Sequence, residues 1–503
     1  MRPVRGDVLA AAIEFARREP GKVLACVLGL HILIWTVIPI LICPNLQLDL
    51  ADELALGKEW QLGYWKHPPL PWWVAEAAYR LTGQIDAVYV LGPLVVAICL
   101  YGVWLLARQT LGGFQGLIAV FVLEGIHFYN FSAVKFDHDQ MQLPFWAFTA
   151  LFFHRALSGG GRFDWILAGV FLAGAFWAKY AAFILAATLG LFLIADPTAR
   201  HAWRTSGPYL MALACAVVIA PNVWWLINHD FLPFRYADER AVAAVHWYQY
   251  VTFPLQWTAS QALDLLPAGG LLALLYLGKT AGPQVSAAPA SDRRYVAWLA
   301  LGPFLMTTLV ATVLGRLVMN MWGYPLWSFA PLAVLLWLGP VADERALRRF
   351  AVGFIAVFLA APLIYAAVEL GEPLVRDRSK ATQFPGRQLA QIITGEWHAR
   401  YGTPLVYVGG SEFPVNNVAV YSPDRPHVVV HGELRLSPWV DPAELRRHGA
   451  VLVWQVGMAG ADLDTLKANF GEFDVQPELV LPRQTRFRVQ TERIDYAFVP
   501  PRP

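Results

Sequence analysis

The chain has 503 residues, of which 57% are hydrophobic and only 15% are charged. Soluble domains carry about 25% charged residues, so this composition argues against an ordinary soluble enzyme. The net charge of +2 lacks the strongly basic balance of nucleic-acid binders, and we predict no nucleic-acid partner. Of the 76 charged residues, 30 lie in residues 371–503. We therefore predict a membrane-embedded part over residues 1–370 and a smaller C-terminal domain over residues 371–503.

The first apolar run, residues 23–43, is long enough to cross the hydrocarbon layer of a bilayer, which is about 30 Å thick. It is too long for a signal peptide and lacks a small-x-small cleavage pattern, so we predict an uncleaved helix. Together with ten later runs it predicts about eleven spans. The later runs are 87–107, 113–131, 141–155, 163–178, 180–196, 207–227, 263–278, 295–314, 322–340 and 350–369.

The distribution of basic residues predicts the orientation. With the N-terminus in the cytoplasm, sixteen Lys and Arg fall on the predicted inner side and eight in the opposite short loops. This bias agrees with the positive-inside rule. An odd number of spans then places the C-terminal domain outside, in a periplasm-like compartment.

The C-terminal domain alternates short apolar runs with a polar helical run. Strand-like runs occupy 404–410, 427–432 and 450–456, and residues 441–449 have the pattern of a helix. This alternation predicts a small α/β domain. No Gly-rich phosphate-binding motif of the nucleotide-binding types follows any of the strands.

Ionisable residues cluster on the predicted outer side. In the first outer loop, residues 44–86, they include Asp52, Glu53, Lys66 and His67. The segment from residue 50 to residue 60 has the spacing of an amphipathic helix, for which an interfacial anchor is the alternative to a functional role.

Three further features lie at predicted span ends. Asp137 and Asp139 are two residues apart, so they cannot face the same way on a regular helix. We expect Asp139 to be functional and Asp137 to be solvated. Lys179 interrupts an apolar run, where a cation needs an anionic partner or a route to water, and Arg316 heads another apolar segment. Snorkelling to the interface is the alternative for Lys179.

Carboxylates and cations on one face of a membrane protein suit a reaction on a lipid-linked substrate that carries phosphate. A carboxylate can act as a base, and cations can hold phosphate. A transporter or flippase of a lipid-linked sugar is the alternative. Transporters usually place such groups near the membrane midplane and often have related halves. Here the candidates lie at one rim, and the sequence shows no duplication.

Several of these residues resemble a known family. Asp52 and Glu53, the run GYWKHPPL at 63–70 and Asp139 resemble the pattern of the family 39 membrane glycosyltransferases. That family includes the protein O-mannosyltransferases and the bacterial aminoarabinose transferases that modify lipid A. The resemblance covers residues 20–340. The segment 135–153 and the α/β tail are more similar to the bacterial branch that acts on lipopolysaccharide core or lipid A sugars, which includes galacturonosyltransferases.

The resemblance implies a fold and a reaction. The fold is the polytopic α-helical GT-C type, with an active site at the outer leaflet beneath an outer domain. The reaction is an inverting sugar transfer from a polyprenyl-phosphate donor to an envelope acceptor: lipid A, lipopolysaccharide core, or another glycan or protein. The location is the periplasmic face of a bacterial inner membrane, in contact with membrane lipids.

When the resemblance is carried over position by position, it implies that Asp52 matches the family's catalytic acid in the first outer loop and that Asp139 matches its second essential acid. Lys179 matches a basic residue that the family has at a span end. Glu53, the neighbour of Asp52, is a third candidate catalytic acid. Lys66 stands where the family commonly has an acid that binds metal, so we assign no metal ligand, although a divalent cofactor stays open. The candidate phosphate-binding residues are Lys66, His67, Lys179 and Arg316.

Overall fold

A computed structural model describes residues 7–277, 288–339, 341, 343–376, 380–456, 463–486 and 490–502. Helices occupy most of the chain up to residue 375, and a mixed sheet follows. The first ten helices are α1 (Val8–Arg18), α2 (Pro20–Ile42), α3 (Leu48–Gly57), α4 (Leu70–Thr82), α5 (Leu91–Leu111), α6 (Gly113–Leu123), α7 (His138–Leu157), α8 (Arg162–Ala178), α9 (Ala182–Ala195) and α10 (Gly207–Asn228). The next six are α11 (Leu232–Arg240), α12 (Gln249–Asp264), α13 (Leu266–Tyr276), α14 (Ala290–Val313), α15 (Ala330–Leu338) and α16 (Glu344–Val375).

The apolar helices make this a multi-pass membrane protein. Within the described residues, five helical segments are long and apolar enough to cross a bilayer, and up to seven if two bent pairs each count as one span. The five are Pro20–Ile42, Ile85–Leu111, Gly207–Asn228, Ala290–Val313 and Glu344–Val375. The described residues of each of the eleven predicted apolar runs lie mainly in helices. The exact number of crossings stays a prediction, because α6 and α9 are short and α7 begins with polar residues.

The first loop between spans forms α3 and α4, which pack against each other. Gly57 ends α3 where a Cβ would lie 2.4 Å from the Trp72 carbonyl oxygen, so only glycine permits this close approach. All residues of α3 from Leu50 to Gly57 are buried, including Asp52 and Glu53, whereas Leu48 at its start is exposed. The alternative of an amphipathic anchor on the membrane surface is therefore wrong for residues 50–57, because both faces of this part of the helix are covered by protein.

The C-terminal region contains a sheet with four flanking helices. Its strands are β3 (Tyr407–Gly410), β4 (His427–Val430), β5 (Ala450–Gln455), β6 (Asp474–Val475), β7 (Leu479–Pro482) and β8 (Thr491–Val499), whereas β1 (Val242–Ala243) and β2 (Arg316–Leu317) form a separate ribbon between spans. The helices are α17 (Gly386–Tyr401), α18 (Glu412–Tyr421), α19 (Pro442–His448) and α20 (Leu463–Phe470). These elements confirm the predicted α/β character.

The sheet has the order β4-β3-β5-β8-β6, with β7 also paired to β8. β3 is parallel to both β4 and β5, while β8 runs antiparallel to β5. The carboxyl ends of β3 and β4 therefore lie at the same edge of the sheet. In open α/β sheets this edge is where ligands bind.

This edge of the sheet faces α3. α18 packs directly on α3, and Asn45 donates a hydrogen bond of 2.9 Å to the side chain of Asn417. Arg425, just before β4, forms an ion pair of 2.8 Å with the buried Glu76 of α4. The C-terminal region thus covers the loop in which the sequence places its main acidic cluster.

Candidate active site

A polar pocket of about 130 Å³ lies where α3, α7, α8 and α11 meet. Three acidic residues of α3, Asp49, Asp52 and Glu53, are separated by three and four positions and so share one face of the helix. The pocket is lined by Asp49, Asp52, Glu53, Lys66, His67, Asp137, His138, Asp139, Lys179, Tyr236, Ala237, Arg240, Met319, Met321 and Trp322. The structure therefore brings together six of the seven site residues predicted from the sequence.

Asp52 is buried, and its carboxylate is held from three sides. The indole N–H of Trp72 donates to Oδ2 at 3.1 Å, and the side-chain amide of Asn416 donates to Oδ1 at 3.1 Å. Lys66 Nζ lies 3.1 Å from Oδ2. These contacts fix the direction of the carboxylate and leave it on the wall of the pocket.

Lys66 bridges Asp52 to a carboxylate of the C-terminal region. Its Nζ lies 2.6 Å from Oε1 of Glu412, the first residue of α18. Burial raises the pKa of Asp52 to about 6, even though Lys66 acts to lower it. Burial also acts on Glu412, but Lys66 and Asp52 hold the pKa of that carboxyl down at about 2. Of the two carboxylates, Asp52 is thus the one that exchanges a proton near neutral pH.

The other residues of the acidic face of α3 are also perturbed. Burial and the negative charge of Asp137 raise the pKa of Asp49 to about 7. Burial, followed by the charge of Asp52, raises the pKa of Glu53 well above its usual range. Perturbed carboxyl groups in a cleft are typical of functional sites.

Asp139 and Lys179 form a buried ion pair of 2.5 Å across the pocket. Asp139 lies in the first turn of α7, and Lys179 directly follows the last residue of α8. The pair joins the end of one helix to the start of its neighbour. The predicted need of Lys179 for an anionic partner is met in this way rather than by snorkelling.

Asp137 is not solvated, so the expectation for this residue was wrong. It precedes the regular helix as the N-cap of α7, and its Oδ1 accepts a hydrogen bond from the Gln140 amide at 3.0 Å. The rule that residues two apart face opposite ways holds only within a regular helix. Both Asp137 and Asp139 are therefore buried at the pocket.

His67 and His138 stack with their ring centroids 4.2 Å apart. Burial and the nearby cations Lys179 and Lys66 hold the pKa of His67 well below its usual value, so it is neutral at physiological pH. A neutral imidazole can donate a hydrogen bond to a phosphate oxygen but adds no charge. His138 also approaches Glu53, with 3.5 Å between Nδ1 and Oε1.

Arg316 is the predicted residue that the structure does not bring into this pocket. Its guanidinium pairs with Asp238 and donates to the Ala241 carbonyl oxygen at 3.1 Å. It lines a neighbouring, mainly apolar groove of about 360 Å³ between α11 and α14. Ala237 and Trp322 line both cavities, so the groove adjoins the polar pocket.

The sequence did not single out Glu412 and Asn416, which contact Lys66 and Asp52. Both residues come from α18, more than 340 positions after Asp52, and only the fold brings them near. A local signal was present in the strand that ends at Gly409 and Gly410, since a helix that begins at the carboxyl end of a parallel strand often carries ligand-binding groups.

The donor set does not fit a divalent metal. Among the residues that the structure describes, no group of three or more His, Cys, Asp and Glu side chains is arranged to hold a metal ion. The ammonium of Lys66 lies between Asp52 and Glu412 and pairs with both carboxylates. We therefore assign no catalytic step to a metal.

Comparison with known proteins adds independent findings. Residues 66–225 match the family described as dolichyl-phosphate-mannose-protein mannosyltransferase. The chain is 27% identical over 277 residues to the lipid A galacturonosyltransferase RgtD of Rhizobium johnstonii, a match that covers 53% of this chain and 55% of that protein. The chain thus spans about half the length of this curated relative.

Two solved structures share the architecture. ArnT from Cupriavidus metallidurans superposes with a TM-score of 0.61 at 12% identity, over 95% of this chain and 98% of that one. The mycobacterial arabinofuranosyltransferase AftD gives a TM-score of 0.51 at 12% identity, over 96% of this chain and 40% of that one. These likenesses, with the family match, confirm the predicted fold class: the chain has the GT-C fold of the membrane glycosyltransferases.

Proposed function

We propose that this protein is an inverting glycosyltransferase that moves a sugar from a polyprenyl-phosphate donor to an envelope glycolipid such as lipid A or lipopolysaccharide core. The observation that carries the proposal is Asp52, a buried carboxylate with a pKa of about 6, on the wall of a pocket that also holds Lys66 and Lys179. The names of the sequence relatives describe sugar transfer, and one of them acts on lipid A.

In this mechanism, Asp52 takes the proton of the acceptor hydroxyl as that oxygen attacks the anomeric carbon of the donor sugar. The bond from the anomeric carbon to the phosphate oxygen breaks on the opposite face, and polyprenyl phosphate leaves. Its charge is stabilised by Lys179, and a well-placed donor contributes about 3 kcal/mol. Trp72 and Asn416 keep the base in its reactive orientation.

We assign the supporting carboxylates separate roles. Asp139 holds the Lys179 ammonium in the pocket through their ion pair. Glu412 does the same for Lys66. Glu53 and His67 line the same wall and contribute polar contacts to the sugar or the phosphate.

The apolar groove beside the pocket suits the lipid chain of the donor. It is lined mainly by apolar side chains of α11 and α14, and it adjoins the pocket at Trp322, whose ring lies beside Lys179. A polyprenyl chain in this groove would place its phosphate among the cations. We further propose that residues 371–503 form a periplasmic domain on a bacterial inner-membrane protein whose N-terminus is cytoplasmic.

No observation favours the transporter alternative. Asp139 and Lys179 lie at helix ends, and α3 lies in the loop that follows α2, so the ionisable groups gather at one end of the bundle. A permeation pathway would need such groups near the midplane.

Mass spectrometry of intact envelope glycolipids tests the function. We would compare cells with the normal protein, with no protein, and with Asp52→Asn or Asp86→Asn at matched expression. Asp86 is a suitable control because it is half-exposed and, among the residues that the structure describes, its one ion pair is with the exposed Arg387. We expect one sugar mass to be lost with the deletion and with Asp52→Asn, but retained with Asp86→Asn. Near-normal transfer by Asp52→Asn would show that Asp52 is not the base.

A further inference from the structure

A second polar cavity, of about 500 Å³, lies beside the candidate active site between the first loop, α11 and the C-terminal region. We call it the basic cleft. It is lined by Trp65, Leu232, Arg235, Tyr236, Glu239, Arg240, His431, Glu433, Arg435 and Leu436. Its volume is in the range of pockets that hold small ligands.

Helix α11 separates this cleft from the apolar groove. Phe234, Ala237, Asp238 and the following Ala241 line the groove, whereas Arg235, Tyr236, Glu239 and Arg240 line the cleft. Both sets repeat every three to four residues, as opposite faces of one helix must. One short helix thus presents an apolar wall to one side and a charged wall to the other.

Both cavities adjoin the candidate active site. Tyr236 and Arg240 line the pocket as well as the cleft. Aromatic rings continue along the shared wall: His67 contacts Tyr236 at 5.7 Å between ring centroids, Tyr236 contacts Trp65 at 4.8 Å, and Trp65 contacts His431 at 5.1 Å. Aromatic faces beside hydrogen-bonding groups suit the binding of sugar rings.

The cleft carries cations that the protein leaves available. Within the described part of the chain, Arg235 and Arg240 form no ion pair, and Arg435 approaches only Glu433, at 3.8 Å and largely exposed to solvent. His431 and Arg435 follow β4, at the sheet edge that also supplies Glu412. His431 is held at a φ of +52°, a strained conformation for a residue other than glycine and one that is common at ligand sites.

We propose that the basic cleft binds the anionic sugar headgroup of the glycolipid acceptor, through phosphate or carboxylate groups that Arg235 and Arg435 recognise. This inference rests on the proposed function and deepens it. The donor lipid would occupy the apolar groove on one side of α11, and the acceptor would enter from the other side. The two substrates would then meet at Asp52 without crossing each other.

Direct binding to the full-length protein in nanodiscs of neutral phospholipid tests the proposal. The probes are lipid A with two phosphates, lipid A stripped of phosphate, and inorganic phosphate alone. The variants are Arg435→Ala, the double variant Arg235→Ala/Arg435→Ala, and Arg447→Ala as the control. Arg447 is as exposed as Arg435, lies in the same region and also pairs with a glutamate, but it lies outside the cleft.

We expect Arg435→Ala to raise the Kd for diphosphorylated lipid A about tenfold and the double variant to raise it further, because each lost hydrogen bond involves a charged group. Arg447→Ala should leave the Kd unchanged, and the phosphate-free lipid should bind all four proteins alike. Arg435→Lys should restore part of the affinity. A melting temperature equal to that of the normal protein confirms that the variants fold.

Three outcomes would overturn the inference: equal Kd values for Arg435→Ala and the normal protein, equal losses in Arg435→Ala and Arg447→Ala, or full displacement of the lipid by millimolar inorganic phosphate. Preferential binding of a serine-containing peptide at these arginines would also overturn it in favour of a protein acceptor. A separate transfer assay distinguishes the two proposals. If the normal protein transfers sugar but the arginine variants bind the acceptor with an unchanged Kd, only the proposal for the cleft is refuted. If acceptor binding depends on the arginines but the normal protein transfers no sugar, only the proposed enzymatic function is refuted.

Discussion

The contact between Asp52 and Lys66 makes the pH dependence of sugar transfer a test of the catalytic base. Asp52 must be ionised to accept a proton, and its pKa is raised to about 6. The rate should therefore be constant above about pH 7 and fall about tenfold per pH unit well below 6. Replacing Lys66 with Met removes the cation 3.1 Å from Asp52 Oδ2 and keeps a side chain of similar length.

The expected shift follows from the geometry. At 3.1 Å and an effective dielectric constant of about 20, the attraction is about 5 kcal/mol. This figure is an upper bound, because Lys66 also serves Glu412 and water can enter the vacated space. A shift of about 2 pKa units, or about 2.7 kcal/mol, is the middle of the range for a close opposite charge. The acid limb of the pH profile is the range in which the rate falls as the pH is lowered. In the Lys66→Met variant its midpoint should then move upward, from about pH 6 to about pH 8.

A second variant reverses the sign. The negative charge of Glu412 raises the pKa of Asp52, so Glu412→Gln should move the acid limb below its position in the normal protein. Glu444→Gln is the control, because Glu444 is exposed and pairs only with residues of its own helix.

The assay is kcat/KM for sugar transfer by purified protein between about pH 5 and 9, a range that spans the limb. The midpoint of the limb is a separate readout from the plateau rate, which Lys66→Met also lowers if Lys66 holds the leaving phosphate. If the limb stays in place in both variants, or moves the same way in both, the titrating group is not Asp52 and the reasoning fails.

Three further predictions concern stability and the donor lipid. Lys179→Met leaves Asp139 buried without its cation, which should lower the free energy of unfolding by about 3–5 kcal/mol and lower the melting temperature. Adding Asp139→Asn to the same chain should restore part of this stability. If it restores none, the two residues do not act as a pair. Gly410→Ala should lower the melting temperature, because Gly410 has a φ of +122° and a Cβ would lie 2.1 Å from the Val453 carbonyl oxygen, whereas Gly395→Ala, with open space around it, should not. Ala311→Trp should fill the apolar groove and raise the KM for a polyprenyl-phosphate donor. Ala297→Trp, on the same helix but in a different cavity, should leave this KM unchanged. If both variants change the KM equally, the donor lipid binds elsewhere.

The fold was accessible from the sequence because hydropathy and strand-like runs are local signals. Each apolar run predicted a helical segment, and the runs at 404–410, 427–432 and 450–456 contain β3, β4 and β5. The number of crossings was less accessible, because the short helices and bent pairs depend on packing rather than on composition. Local patterns also left two readings of α3 open, since its spacing is that of an interfacial helix and its burial comes from packing against α4 and α18.

Candidate residues were predictable where charge interrupts apolar sequence. Lys179 stood out because a cation in an apolar run needs a partner, and that partner proved to be Asp139. Glu412 could not be found in this way, because an acidic residue at the start of a helix in a water-exposed region is ordinary. Only the path of the chain, which returns α18 to the first loop, gives that carboxylate its contact with Lys66.

The position of α11 gives the proposed reaction a direction. An inverting transfer requires the acceptor oxygen and the leaving phosphate to lie on opposite sides of the anomeric carbon. A single binding groove for two lipid substrates would bring both headgroups in from the same side. Here the groove and the basic cleft lie on opposite faces of one helix, and both adjoin the pocket that contains Asp52. The sugar would therefore be approached from two sides, with the base on the acceptor side and Lys179 on the phosphate side. The nine residues of α11 supply both walls, with Phe234 and Ala237 on the groove side and Arg235 and Arg240 on the cleft side.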